Sequence, residues 1–336
     1  MRVGFNPNKD KEIDQVEYTH QVIMPVHIPH FEGYFKDSFK ILEYSLESLF
    51  KTSHKNTYIT VVNNGSCEEV KNFLNSLFHQ DLIHELIHTI CIGKLNAILK
   101  GVVGNRIELV TISDADVLFL PNWQQETVKI FENVPKAGVV GIVPQFKMFE
   151  ANCGNVLFDT FFSKKLKFLP VKNPDALALF YKSIGWANDY NQDYLKYNLG
   201  LDLSEDFKVL VGSGHFVATY KKDMFDEVKS YLGYKLGGLS EAYLDKSSLK
   251  KDYWRLTTQD NYAYHMGNTL EDWMETDYPV KNTQQVTHSG FSKRKPMSHF
   301  MFFLKNRLFS KFISIPFLYK CFLRSKGLPK AMINKY

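Results

Sequence analysis

Cysteine is scarce in this chain: four in 336 residues, Cys67, Cys91, Cys153 and Cys321, with no CxxC pair among them. Four are too few to staple a chain of this length, and their spacing fits no zinc framework, so a reducing compartment is expected. Long hydrophobic runs are missing as well. The amino terminus, MRVGFNPNKDKEIDQ, has no apolar core of the signal-peptide kind. Nowhere does the chain reach the ~18 uninterrupted apolar residues of a spanning helix. A body that is soluble, and at most peripheral on a membrane, is the expectation. Internal repeats and low-complexity stretches are absent too. Most telling is the absence of acid at one end: residues 291–336 hold 11 of the 41 Lys/Arg and none of the 36 Asp/Glu. The first 290 residues, with the other 30 bases and all 36 acids, therefore sum to −6, and the last 46 to +11. An acidic body carries a basic tail.

What is present is an ordinary globular composition, 44% hydrophobic, 23% charged and 15% aromatic. Disorder, collagen and coiled coil are excluded on those numbers. THQVIMPVHI (19–28) reads as a buried strand carrying Pro25. Phe39, Leu42, Leu46 and Leu49 recur at helical spacing. TYITVV (57–62) is a β-branched strand ending at Asn63-Asn64-Gly65, and Ser66 with Glu69 makes a capping box for a helix through Val70, Phe73 and Leu77. A third strand near 86–92, a helix through Leu95, Leu99 and Val102, and the strand IELVTIS (107–113) complete a strand–helix alternation. That alternation predicts an open, mostly parallel sheet with helices on both faces, whose ligands sit at the carboxyl ends of the strands. Beyond it, GVVGIVPQF (138–146) and FKVLVGSGHFVATY (207–220) read as strands, and the aromatic, Asn-rich stretch between them as helices and loops.

Asp114 and Asp116, in ISDADVLFLP, follow the buried strand. Carboxylates at i and i+2 of extended chain point the same way and can share a hard divalent cation, Mn2+ or Mg2+, with a diphosphate. The same pair is also at home in a solvated turn. Taken with its context, the segment VIMPVHIP, then ITVVNNGS, then IGKLNAILKGVVGNRIELVTISDAD resembles the nucleotide-binding half of family 2-like glycosyltransferases with the GT-A fold, over roughly residues 19–121.

The resemblance implies a GT-A, Rossmann-like α/β domain over 19–290, preceded by an arm (1–18) and followed by a basic amphipathic helical tail (291–336). The nucleotide-binding half spans 19–121 and the acceptor half 122–290, with an insertion at about 147–206. It further implies donor contacts at Pro25, Val26, His27, Asn63, Asn64, Lys94, Asn96, Ser113, Asp114 and Ala115, and a glycine loop at Gly212-Ser213-Gly214. Asp260, in Thr258-Gln259-Asp260 before the helix-like DNYAYHMG, stands where the family has its catalytic base. His288, in VTHSGF, stands where many relatives place a metal-binding histidine beside Asp114 and Asp116. Lys293, Arg294 and Lys295 are candidate mobile cations for the leaving diphosphate. Each has a plainer alternative: a helix cap for Asp260, a loop histidine at 288, a bulge at the glycines, a solvated Lys94. Two departures stand out: neutral Asn63-Asn64 where the family carries acid, and Gln259 for its usual Glu.

The implied activity is inverting, metal-dependent transfer of a sugar from a nucleotide diphosphate, above all a UDP-sugar. The acceptor hydroxyl would lie on a glycan, lipid-linked or protein acceptor in surface-glycan synthesis. Three other readings compete. A metal-dependent nucleotidyltransferase would want a glycine-rich loop after the first strand, where PVHIPHFEG has one late glycine. A non-catalytic sugar- or membrane-binding scaffold would keep the fold without the chemistry. The run His84-Glu85-Leu86-Ile87-His88 matches a zinc-protease signature, but LIHTICI reads as a strand and chelation through both histidines needs a helix. In the tail, Phe300, Phe302, Phe303, Phe309, Phe312 and Phe317 interleave with Lys305, Arg307, Lys311, Lys320 and Arg324. That pattern suits the anionic inner face of the plasma membrane, or packing on the acidic body. Nucleic acid is not expected as a partner, because no module for reading it is present.

Overall fold

The computed structural model describes residues 4–9, 11, 18–186, 189–227, 238–275 and 290–336. The first half follows the hydrophobic pattern closely. Strand β1 (His20–Val26) is buried almost throughout. Helix α1 (Ser38–Thr52) turns Ile41, Leu42, Leu46 and Leu49 inward at steps of three and four. Strand β2 (Thr57–Asn64) pairs parallel with β1, and its turn requires Gly65: φ is +79°, and a Cβ there would stand 2.7 Å from the Cys91 amide nitrogen. Helix α2 (Glu68–His79) opens on two glutamates, which suit the positive end of its dipole. Strand β3 (Glu85–Thr89), helix α3 (Lys94–Val102) and strand β4 (Leu109–Ser113) complete the alternation.

Side chains of β1 go alternately to two cores. Val22, Met24 and Val26 join Leu42, Leu46, Leu49, Val70 and Leu74 under α1 and α2. Ile23 joins Leu95, Ile98 and Val102 under α3 on the opposite face. Each such fully buried aliphatic side chain contributes about 1.5–3 kcal/mol.

Past Asp116 the chain makes β5 (Val117–Phe119), α4 (Trp123–Asn133), β6 (Ala137–Gly141), α5 (Gly154–Thr160), β7 (Leu166–Pro170), α6 (Pro174–Ser183) and β8 (Tyr197–Ser204). Then follow β9 (Phe207–Val211), β10 (Val217–Lys221), α7 (Gly238–Lys250), β11 (Trp254–Thr258) and β12 (Ala263–His265). The tail forms α8 (His299–Phe303), a π-helical turn (Leu304–Phe309), α9 (Ser310–Ile313), α10 (Pro316–Ser325) and α11 (Lys330–Ile333). One sheet orders ten strands β3-β2-β1-β4-β10-β6-β11-β9-β8-β7, and β12-β5 form a separate ribbon. It is mixed: parallel from β3 to β4 and between β6 and β11, antiparallel elsewhere. Among the described residues no helix is long and apolar enough to cross a membrane.

Four sequence expectations need correction. FKVLVGSGHFVATY is two strands, β9 and β10, which β11 and β6 separate in the sheet; the Gly-Ser-Gly break lets the chain leave one and reach the other. The insertion holds β7 and β8 as well as helices. DNYAYHMG is not a helix, because Ala263–His265 pairs with Val117–Phe119. Finally, Asp114 and Asp116 lie on a tight turn between β4 and β5 and not in extended chain.

Candidate active site

Strands β4, β6 and β11 all run the same way, since β10 is antiparallel to both β4 and β6 and β11 is parallel to β6. Their carboxyl ends therefore share one edge of the molecule, and both Asp116 and Asp260 emerge there. The turn after β4 is pinned at both ends: Asp114 N donates to Phe216 O at 2.7 Å, and Asp116 O accepts from Met266 N at 2.8 Å. Lys94, first residue of α3, puts its Nζ 2.5 Å from Asp114 Oδ1. Asp116 faces a different partner, His265, whose Nε2 lies 3.4 Å from Asp116 Oδ2. His265 Nδ1 is in turn 2.9 Å from Ser183 Oγ, and Phe180 and Phe216 pack edge-on against its ring. Asp116 Oδ1 is buried and has no hydrogen-bond partner among the described residues. Burial raises the Asp116 pKa above the ordinary carboxylate value; His265 and Lys94 oppose the shift, and the charge of Asp114 adds to it.

Both aspartates line a cavity of about 450 Å³. Of the expected donor contacts, Pro25, Val26, His27, Asn64, Lys94 and Ala115 line it as well. His27 Nδ1 bonds Asn64 O at 2.9 Å, which leaves its other ring nitrogen unused. Residues that the sequence did not single out close the cavity: Tyr34, Phe35, Ser38 and Ile41 from one side, Cys91, Gly267 and Asn268 from the other. Asn268 Nδ2 donates to Tyr34 O at 3.2 Å and joins the two rims.

Other expected contacts serve the scaffold. Asn63 is buried; its Oδ1 accepts from Ser66 N and its Nδ2 meets His88 Nδ1, both at 3.0 Å. Asn96 Nδ2 donates to Ile92 O at 2.8 Å. Ser113 is buried, its hydroxyl donating to the Asp114 carbonyl. Gly212 (φ +103°) lies against Met148, where a Cβ would come within 2.4 Å, and a Cβ on Gly214 would strike the Gln145 amide at 2.1 Å. Ser213 O accepts from Arg255 Nη2 at 2.6 Å. At Gly212 the close approach of Met148 and the positive φ both require glycine, whereas the Gln145 amide beside Gly214 is the movable end of a side chain.

Asp260 stands at the same sheet edge. Its Oδ1 accepts from Asn261 N at 2.8 Å and its Oδ2 lies 3.3 Å from Lys172 Nζ. Lys293, by contrast, does not line this cavity. Phe291 N donates to Glu108 Oε2 at 3.2 Å, so this segment sits at the amino end of β4. The five residues of β4 separate it from Asp114 by roughly 16 Å at ~3.3 Å per strand residue. Arg294 is held there by Lys251 O and Asp252, and Lys295 follows it. His288 lies outside the described residues.

The zinc-protease reading fails on geometry. Glu85–Thr89 is a strand; His84 Nδ1 accepts from Ile59 N at 3.1 Å, and His88 lies between Asn63 and Asn75. His265 is the main residue the sequence reading missed. Reading Tyr262-Ala263-Tyr264-His265 with period two, as a strand, would have placed His265 on one face with Ala263.

A divalent cation fits the aspartate turn, because Asp116 offers a buried oxygen that no described residue satisfies. Among the described residues no group of three or more His, Cys, Asp and Glu is arranged to hold a metal. The described residues thus offer the two aspartates of the turn, a set that suits an ion also bound by phosphate and water.

Against known proteins, the family model for Glycosyl transferase family 2 matches residues 26–223. No curated protein matches the chain. Similar solved structures include S. aureus TarS 1-349, 12% identical with a TM-score of 0.43, over 73% of this chain and 60% of that one. The same TarS fragment in complex with UDP-GlcNAc is 12% identical, TM-score 0.44, over 78% and 62%. Mannosyltransferase PcManGT from Pyrobaculum calidifontis, in complex with GDP-Man and Mn2+, is 15% identical, TM-score 0.42, over 72% and 55%. The chain thus spans 55–62% of the length of these solved chains.

Proposed function

The chain belongs to glycosyl transferase family 2 and has the GT-A fold, and on that premise we propose that it transfers a sugar, with inversion, from a UDP-sugar to an acceptor hydroxyl. The observation that carries the reading is the cavity at the end of β4, where Asp116 holds an unsatisfied buried oxygen beside the Lys94–Asp114 pair.

In this reading Asp116 and Asp114 hold Mn2+ or Mg2+, with His265 beside Asp116 among the described residues. The bound ion supplies Lewis-acid neutralisation of the charge that grows on the departing diphosphate. Lys94 is the chain's own cation at that spot, placed at a helix start where phosphate is favoured. Tyr34 and Phe35 offer aromatic faces to the base, and Asn64 with the unused nitrogen of His27 offers it neutral hydrogen-bonding groups. Asp260 takes the acceptor proton as the hydroxyl attacks the sugar carbon opposite the leaving group. Lys172 and the Asn261 amide orient that carboxylate. The acceptor is a glycan, lipid-linked or protein-linked hydroxyl in surface-glycan synthesis.

The test is release of UDP from a panel of UDP-sugars with Mn2+ present. Turnover that survives Asp260→Asn unchanged overturns the base assignment; turnover lost while UDP binding persists supports it.

A further inference from the structure

The carboxy-terminal tail has two faces, and the fold uses only one. Ile313, Phe322, Leu323, Leu328 and Tyr336 are buried in one cluster with Phe149, Val156 and Leu157. Lys305 is buried too, its Nζ 2.8 Å from Asp159 Oδ1 and 3.1 Å from both Asp252 oxygens. On the outer face, Phe300 and Phe317 are 72% and 74% exposed, and Phe303, Leu308, Phe312 and Ile315 are exposed with them. These six are among only seventeen large apolar side chains exposed over all the described residues, so they form a concentration and not background scatter. Phe300 and Phe303 lie three apart in α8, Lys311 and Phe312 are adjacent in α9, and Phe317, Lys320 and Arg324 recur at three and four along α10, so exposed rings and bases alternate along the tail. The π-turn at Leu304–Phe309 lies within this run. Arg307, Lys311, Lys320 and Arg324 are exposed, and none has a carboxylate within ion-pair distance among the described residues.

Rings and uncompensated cations on one face, with no acidic residue anywhere in 291–336, fit a surface that is uniformly anionic outside and apolar just beneath. A protein partner would present a mosaic of both signs. We propose that this outer face docks the protein on an anionic lipid surface such as the cytoplasmic leaflet of a membrane, rings at the acyl boundary and cations at the phosphates. No residue of this face lines the donor cavity, so docking leaves that cavity open, and the inference stands apart from the reaction assigned above.

The full chain is sedimented with vesicles of phosphatidylcholine alone and of phosphatidylcholine with phosphatidylglycerol. We expect pelleting with the anionic vesicles only, weakened by salt. Neutralising each lysine in K311Q and K320Q should reduce partitioning about fivefold. The triple variant F300S/F312S/F317S should abolish it with an unchanged melting temperature, since all three rings are exposed. Equal binding to both vesicle types, no binding to either, or wild-type pelleting by the variants would overturn the proposal. So would lipid-independent self-association that the triple variant loses, which would make a second copy the occupant.

Discussion

Lys94 and Asp114 neutralise one another at 2.5 Å, whereas Asp116 keeps a buried oxygen that no donor among the described residues meets. The two carboxylates of one short motif are therefore not equivalent, and Asp116 is the one whose loss should matter most. Asp116→Ala should lower UDP-sugar turnover by about a hundredfold or more, the scale of losing a principal electrostatic stabiliser; a steady-state assay with Mn2+ checks it. Gly138 offers a test of packing alone. A Cβ there would stand 2.3 Å from the Tyr253 ring, within a buried strand. Gly138→Ala should cost about 1–3 kcal/mol, read as a lower urea midpoint with no change in the affinity for UDP. At this scale the sequence was informative about residue type and poor about which neighbour a side chain serves. Asp114, Asp116, Lys94 and Asn64 reach the cavity as expected. Asn63, Asn96 and the two glycines are taken up by backbone and side-chain partners that no spacing rule exposes. Lys293 was misplaced because charge complementarity says nothing about which end of a sheet a loop reaches.

Among elements, β1, β2 and β4 were legible because each carries a run of buried β-branched or aliphatic residues, and the helices between them keep a three-and-four rhythm. The segment after Asp260 was not, since a three-residue strand is too short to show a period, and Ala263 and His265 align only once they pair with β5. The tail was half legible: its helices and basic faces were visible, but the buried Lys305 was not. Burial by itself would push the Asp159 pKa up, yet hydrogen bonds from Lys136 and Lys305 outweigh it and hold it below the ordinary value. That stabilisation is complete above the unfolded pKa of about 3.9 and is lost as pH falls through the lower folded value. Urea midpoints measured from pH 7 down to pH 3 should therefore fall more steeply for the wild type than for Asp159→Asn. Lys305→Met leaves Asp159 to Lys136, and Asp252 to Lys136 and Arg294, and the loss of its charged hydrogen bonds should cost about 1.5–3 kcal/mol. A midpoint unchanged by that substitution would contradict the interface.

Across the whole molecule, the charge split that opened the sequence reading resolves into two uses. Part of the +11 tail is consumed inside the protein, at Lys305, at Arg294 with Asp252, and at Lys326, whose Nζ donates to the carbonyls of Phe161 and Ser163, and the other eight bases are exposed. Because Ile313, Phe322, Leu323 and Tyr336 complete a core cluster, truncation after Gly290 should unfold part of the body as well as remove any membrane contact. Lower thermal stability of that truncation, seen by circular dichroism, checks this. The cavity at the aspartate turn belongs to the other half of the sheet, lined from β1, β2, α1 and α3, and the same turn ties it to β12. The most direct measurement is a thermal shift of the full chain with UDP, with and without Mn2+, in the wild type and in Asp116→Ala. Stabilisation by UDP that requires Mn2+ and disappears in Asp116→Ala is the expected result. Stabilisation of equal size without the ion, or undiminished in the variant, would contradict a nucleotide site built on that carboxylate.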